Sequence, residues 1–243
     1  MALQHHSTFD ADEGPTTPVM PPVPVESAFL LEAAWSSIIT DPLTGVAIVS
    51  GDGRTIWAND QIAKFFHGDQ ATGAQYSGTD WQGLYPREWI EERLAIMKQI
   101  KETGRPLLLR TIWRGYQQLS WMHYIPDDDE GKADHFLVIT RRIGCADSNQ
   151  IEAMSRGANM VESKIASLGE LASLTTRELE VLALLGQGLS IKEIASTLHR
   201  SAKTVENHRS SIGRKLQLDD RVQLAELARR AGLTPKDAAR KRV

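Results

Sequence analysis

Every Trp, Tyr and Phe of this chain lies at or before Phe136, and the last 107 residues contain none. The chain therefore has an aromatic-rich front and a back that can fill a core only with aliphatic side chains, and 243 residues suffice for two modest domains. The charge divides at nearly the same place. Residues 1–150 carry 12 Lys and Arg against 20 Asp and Glu, whereas residues 151–243 carry 16 against 11. The net charge of −3 thus hides an acidic front and a basic back. A basic module on an acidic protein points to a polyanionic partner for that module alone.

Several classes are disfavoured. A single cysteine, Cys145, leaves no intramolecular disulfide and no multi-cysteine metal site, which fits a reducing compartment. The first residues lack a basic start followed by an apolar run, and no apolar stretch approaches the roughly 20 residues that span a bilayer. The expectation is a cytoplasmic protein with no membrane contact. No phosphoryl-receiver signature, Gly-rich phosphate loop or nucleophile elbow is present, so an enzyme is not expected. His5 and His6 lie in the Pro-rich segment 1–25, which is expected to be disordered, and are read as incidental.

From residue 26 onward the pattern tightens. Phe29, Leu30, Ala33 and Ala34 recur at helical spacing and predict a short amphipathic helix ending near Pro42. Residues 45–50 read as a strand, Gly51–Arg54 as a hairpin turn, and 55–57 as the partner strand. Asn59 or Asp60 caps a helix through Phe66, and a loop rich in Gly and Thr follows. Pro86 suits the first turn of a helix that runs to Glu102, with Gly104 just past its end. Three more strands are predicted at 107–114, 118–124 and 135–141, the last two joined by a solvated hairpin over 127–131. Trp35, Trp57, Trp89, Trp113 and Trp121 are read as core residues.

This α+β order, with Gly45–Phe66 as its opening and Leu137–Ile143 as its exit, resembles a PAS domain over residues 26–143. Val138 stands where that family usually has Asp. The resemblance implies a sensor or interaction module with an antiparallel sheet and short helices. A flavin adduct would need a cysteine after Asn59, and Cys145 lies beyond the last strand; haem would need an axial ligand, for which His67 and His123 are the candidates. No cofactor is favoured, and a small ligand is left open.

Residues 144–170 read as a helical linker. Ile151, Ala158 and Ile165 share one heptad position, and Met154, Val161 and Leu168 another, which suits a short two-stranded coiled coil or an amphipathic helix packed on its own chain. The coiled coil implies a homodimer.

The stretch 171–235 is the most legible. Thr175 and Glu178 form a capping box ahead of Val181, Leu182, Leu184 and Leu185. Ser190 and Glu193 form a second, ahead of the stripe Ile191, Ile194, Ala195 and Leu198. His199 and Arg200 turn the chain, Ser201 caps a third helix with Val205, Ile212 and Leu216 inward, and a fourth helix ends at Gly232. Two short helices joined by a tight turn, with polar and basic residues on the free face of the second, describe a helix-turn-helix. Ser201, Lys203 and Thr204 crowd a helix N-terminus suited to phosphate. Glu206, Asn207, Ser210 and Arg214 are of base-reading type. Lys192, Arg209 and Lys215 could supply salt-dependent backbone attraction, and His208 is read as a packing or phosphate-contact residue. Residues 236–243 form a basic tail.

These motifs closely resemble the LuxR-type DNA-binding domain of bacterial transcription regulators. The resemblance implies an all-α four-helix domain, with the third helix in the major groove of double-stranded DNA and the fourth available for dimerisation. His199 replaces the usual turn Gly and is expected to adopt positive φ, Gly213 sits where a larger residue is common, and Glu206 replaces a frequent basic residue. The readings are a regulator controlled by a ligand or partner at its front domain, a haem or flavin sensor with the same reader, or an interaction module that has lost DNA reading.

Overall fold

The computed structural model describes residues 28–126, 134–144, 159–218 and 220–243. The Pro-rich segment, the carboxylates at 127–130, Cys145, and Ile151, Met154 and Ala158 of the heptad seam lie outside them.

One eight-stranded sheet organises the chain, in the order β3-β2-β1-β6-β5-β4-β7-β8. Its strands are β1 (Gly45–Ser50), β2 (Arg54–Ala58), β3 (Thr79–Asp80), β4 (Leu107–Trp113), β5 (Tyr116–Ile125), β6 (His135–Arg142), β7 (Asn159–Ala166) and β8 (Lys241–Arg242). The run β2-β1-β6-β5-β4 is antiparallel throughout and is the PAS-like sheet. Helices α2 (Asp60–His67), α3 (Gly73–Tyr76) and α4 (Arg87–Thr103) pack on it, with α1 (Ala28–Thr40) in front. Asn59 fixes the start of α2: its carboxamide accepts from Ile62 N and Val46 N and donates to Thr44 O and Ile39 O, each at 2.9 Å. One buried side chain thereby ties α1, β1 and α2 together. Gly104 ends α4 in the left-handed conformation, as its position past the apolar run predicts.

The aromatic core differs in membership from the sequence expectation. Trp89 and Trp113 are buried, but Trp35 and Trp57 form a pair 6.0 Å apart at the surface, and Trp121 is half-buried. Trp81 fills the core instead, donating from Nε1 to Thr55 Oγ1 at 3.0 Å. The helix α1 forms as predicted, yet Leu30, Leu31, Trp35 and Ile38 are exposed along it.

The helical linker is corrected from residue 159 onward. Asn159–Ala166 is strand β7, parallel to β4, and Val161 and Ile165 lie in it. Leu168 is buried in the turn that follows. The physical cause is β4, whose outer edge would otherwise present unpaired N–H and C=O groups. The basic tail is corrected as well. Residues Pro235–Ala239 form a 3-10 turn, and Lys241–Arg242 adds β8 to the far side of β7.

Helices α5 (Thr176–Gly186), α6 (Ile191–Thr197), α7 (Ala202–Leu216) and α8 (Arg221–Ala231) form the C-terminal unit around Leu182, Ile194, Val205, Ile212, Leu227 and other fully aliphatic residues. Burying each such Leu, Ile or Val contributes about 1.5–3 kcal/mol. Both caps read from Thr175 and Ser190 form full capping boxes, and Ser201 and Asp220 cap α7 and α8.

The two units meet across β4, which is buried on both faces. Leu107, Leu109 and Trp113 face the aromatic core, whereas Ile112 joins the aliphatic core with Ala166, Leu168 and Leu171. Between them Arg110 crosses the boundary. It donates to both Asp237 carboxylate oxygens at 2.8 and 2.9 Å, to Gly232 O at 2.8 Å, to Glu162 at 2.8 Å and to Gln117 at 2.5 Å. The Asp237 side chain is fully shielded from solvent and also accepts from Thr234 and Arg240. Burial alone would push this carboxyl up, but the bonds and charge of Arg110 outweigh it and hold it below the ordinary range.

Candidate nucleic-acid interface

The turn between α6 and α7 follows from three residues. His199 adopts φ of 52°, the positive value expected where the family has Gly. Arg200 N then bonds back to Ala195 O at 2.8 Å, closing α6. Ser201 Oγ accepts from Thr204 N at 3.1 Å and opens α7. The buried side of α7 is Val205, Ile212 and Gly213. At Gly213 a Cβ would meet Leu218 O at 2.7 Å, because Gln217 turns left-handed and folds the chain back on the helix end. That contact explains why no larger residue stands there.

On the opposite side Lys203, Asn207, Ser210 and Arg214 are all exposed, and steps of four, three and four residues place them on one face. Ser201 is exposed and Thr204 half-buried at the start of the helix, and exposed Lys192 sits at the start of α6. Glu206 is half-buried and accepts from Arg209 at 2.9 Å, so its charge is partly answered within the helix. His208 is half-buried on the flank.

Lys215 is placed differently from the other expected cations. Its ammonium donates to Glu178 at 2.7 Å and to Ser173 O at 3.0 Å, binding α7 to the start of α5. Glu178 also accepts from Thr175 N and Ser211 Oγ, each at 2.7 Å. Burial would raise this carboxyl, but Lys215 and the hydrogen bonds prevail and hold it at about 2. Lys215 is thus engaged in the fold of the domain, a role its charge alone did not disclose. Arg200, read from the sequence only as part of the turn, is exposed beside Ser201.

The front unit holds a cavity of about 70 Å³ between the sheet and its helices, lined by Phe66, Trp81, Tyr85, Trp89, Met122 and Val138 among others. His67 borders it, stacked on Tyr76 at 3.7 Å and bonded through Nε2 to Tyr85 Oη at 3.0 Å. Burial and the nearby Arg114 pull His67 down to about 4, so the ring is neutral near pH 7. Burial also lowers His123, the other proposed axial ligand. Among the described residues no group of three or more His, Cys, Asp or Glu could hold a metal, and no helix is long and apolar enough to cross a membrane.

Residues 172–228 match the family "Bacterial regulatory proteins, luxR family". The C-terminal unit is a LuxR-type helix-turn-helix domain. Within the matched stretch α6 and α7 are the two helices joined by the tight turn at His199 and Arg200. The chain is similar to the transcriptional regulatory protein LnrK of Bacillus subtilis, at 45% identity over 34% of this chain and 36% of that one. It is similar to LiaR of the same organism at 36% identity, over 44% of this chain and 58% of LiaR. The chain thus spans between about a third and three fifths of these relatives. Among solved structures, the VqmA dimer of Vibrio cholerae aligns with 86% of this chain and 94% of its own, at 19% identity and a TM-score of 0.38.

Proposed function

We propose that this protein is a non-catalytic transcription regulator that reads double-stranded DNA through α7 and is controlled through its PAS-like unit. The observation that carries the reading is the exposed row Lys203, Asn207, Ser210 and Arg214 on a helix opened by Ser201 and Thr204. Asn and Arg are the side chains that pair bidentately with adenine and guanine edges in the major groove, and each good pair discriminates by about 1–3 kcal/mol. The N-terminal N–H groups of α7, with Lys203 and Lys192, suit the phosphate backbone. Selection from random DNA tests this reading. The parent returns one motif, and Asn207→Ala and Arg214→Ala each relax it at distinct positions; an unchanged motif in both variants refutes the recognition face.

Control through the PAS-like unit is supported by β4, a single strand that contributes to both cores. The cavity volume of about 70 Å³ favours a compact ligand over haem or flavin, since cofactor and drug-sized pockets run to roughly 300–1,000 Å³. Action as a homodimer belongs to the same reading, now with a different surface in place of the coiled coil. Leu30, Leu31, Trp35 and Ile38 of α1 and Ile56 of β2 are exposed apolar residues on the front unit. Sedimentation of the parent and of Leu31→Glu checks it, with a dimer expected for the first and a monomer for the second.

A further inference from the structure

The ladder between β4 and β7 is interrupted at one place. Arg110 pairs with Glu162 and Ile112 with Ala166, so Ser163, Lys164 and Ile165 stand against the single residue Thr111. At this β-bulge the strand bends before it enters the C-terminal unit. Consecutive residues of α4 hold both of its sides. Arg93 donates to Thr111 Oγ1 at 2.9 Å, on the β4 side. Glu92 takes the β7 side: its carboxylate accepts from Lys164 N at 2.6 Å and from Ser163 Oγ at 2.7 Å, and it pairs with Arg93 at 2.5 Å. Lys164 is out of register with the ladder, and the bond its N–H makes instead goes to an ionised acceptor, the stronger kind. One turn earlier in α4, Glu88 holds β8 through Lys241 at 2.9 Å.

Beyond the bulge the chain reaches the DNA-reading unit along a hydrogen-bonded path. Ser167 N donates to Ile112 O at 2.9 Å, and Ser167 O accepts from Gly115 N at 3.0 Å. Leu168 and Leu171 are buried, and the 3-10 turn Gly169–Ser173 leads to the cap at Thr175. The direction in which β7 leaves its bulge therefore sets where α7 stands relative to the front unit. One residue of strand is about 3.3 Å and one base-pair step about 3.4 Å, so a one-residue change there is a whole base pair at the DNA.

We infer that Glu92 is a positioning residue for DNA reading: by pinning the bulge it fixes both copies of α7 in a homodimer relative to the front units, and so sets the spacing of half-sites that the dimer accepts. This rests on the proposed reading of the chain as a homodimeric DNA-binding regulator and adds what determines its operator. A flexible join would tolerate many spacings, because the effective concentration of the second reader falls only gradually with linker length. A pinned join admits the spacing that its two-fold geometry dictates.

The test uses the full chain and duplexes carrying two copies of the selected half-site, with the spacing stepped by single base pairs and a single-half-site duplex as reference. The parent should prefer one spacing by about 10-fold or more over that spacing lengthened by about 5 bp, half a helical turn. Two routes break the pin. Ser163→Ala with Lys164→Pro removes both donors from β7 and leaves the α4 ion pair whole, proline being tolerated at a bulge. Glu92→Ala with Arg93→Leu removes the acceptor without stranding a buried guanidinium, and Arg93→Leu alone is its control. Both double variants should lower the preference to within about 3-fold, while binding the single half-site within about 2-fold of the parent. Arg93→Leu alone should keep the parental preference, as should Glu92→Gln, which retains an acceptor for Lys164 N. The inference is overturned by a preference that survives in either double variant that folds, or by its loss in Arg93→Leu or Glu92→Gln. It is equally overturned if single-half-site binding is lost with the preference, or if a dimeric parent accepts all spacings alike. A parent that binds no DNA, or stays monomeric on the paired site, takes down the underlying reading as well.

Discussion

Replacing Asp237 with Ala should uncouple the two halves of the molecule. The substitution leaves the Arg110 guanidinium 3% exposed, facing only Gln117, Gly232 O and the half-exposed Glu162. Removing one partner of a buried ion pair costs about 3–5 kcal/mol, because the remaining charge is desolvated without its counterion. Since the pair joins the sheet to the turn after α8, that loss falls on the contact between the units. The placement of the aromatic residues supplies the assay. All Trp and Tyr lie in the front, so intrinsic fluorescence follows that unit alone, whereas far-UV circular dichroism follows the helices of both units, which share them about equally. In the parent the two urea transitions should coincide. In Asp237→Ala they should separate, the dichroism trace gaining an earlier phase for the back more than about 1 M below the fluorescence midpoint at an m-value of about 3 kcal/mol/M. Arg110→Leu combined with Asp237→Leu, which removes both charges, should recover most of the loss. Coincident transitions at the parental midpoint in Asp237→Ala would refute the argument.

Other predictions follow from the helical unit. Gly213→Ala forces a Cβ to within 2.7 Å of Leu218 O, a backbone atom, and should lower stability by about 1–3 kcal/mol in thermal unfolding. Lys203→Ala should weaken binding to all DNA sequences alike and flatten its salt dependence. Lys215→Ala should instead lower the melting temperature of the unbound protein, since it strips Glu178 of its ammonium partner. Acid should act in two windows. His67 is held near 4 against an ordinary 6.5, so its contribution is complete above pH 6.5 and is lost as pH falls towards 4, as the unfolded chain binds the proton first. Glu178 is held near 2 against 4.5, so its contribution survives to about pH 4.5 and is lost below it. His67→Gln should flatten the first window in urea midpoints, and Glu178→Gln the second.

The helix-turn-helix was legible because its signals are local. Thr175, Ser190 and Ser201 each announce a helix start within four residues, and His199 needs positive φ only because a tight turn must close there. The strands of the PAS-like sheet were legible for a similar reason, each bounded by its own turn residues. What escaped was non-local. Val161 and Ile165 fit a heptad as readily as a strand, and only the open edge of β4, some fifty residues earlier in sequence, decides between them. Asp237 reads as part of a charged tail until Arg110 is placed opposite it. A signal was nevertheless present: Arg110 interrupts the apolar run from Leu107 to Trp113, and a run that apolar belongs to a strand covered on both faces, where an Arg must have a buried partner. The site residues divide in the same way. Lys203, Asn207 and Arg214 are on the free face that helical periodicity assigns to them, whereas the engagement of Lys215 depends on where α5 begins.

The small volume of the front cavity limits how strongly any occupant can act. The best very small ligands gain about 1.5 kcal/mol for each heavy atom, so an occupant of about four or five atoms can deliver roughly 6–7.5 kcal/mol at most. Driving a two-state protein from 1:99 to 99:1 takes about 5.5 kcal/mol of differential affinity, nearly the whole of that ceiling. A signal of this size cannot overturn a strongly biased molecule. It can only tip one already close to balance, so on the proposed reading of the front unit as the sensing half the two states it chooses between lie within a few kcal/mol of each other.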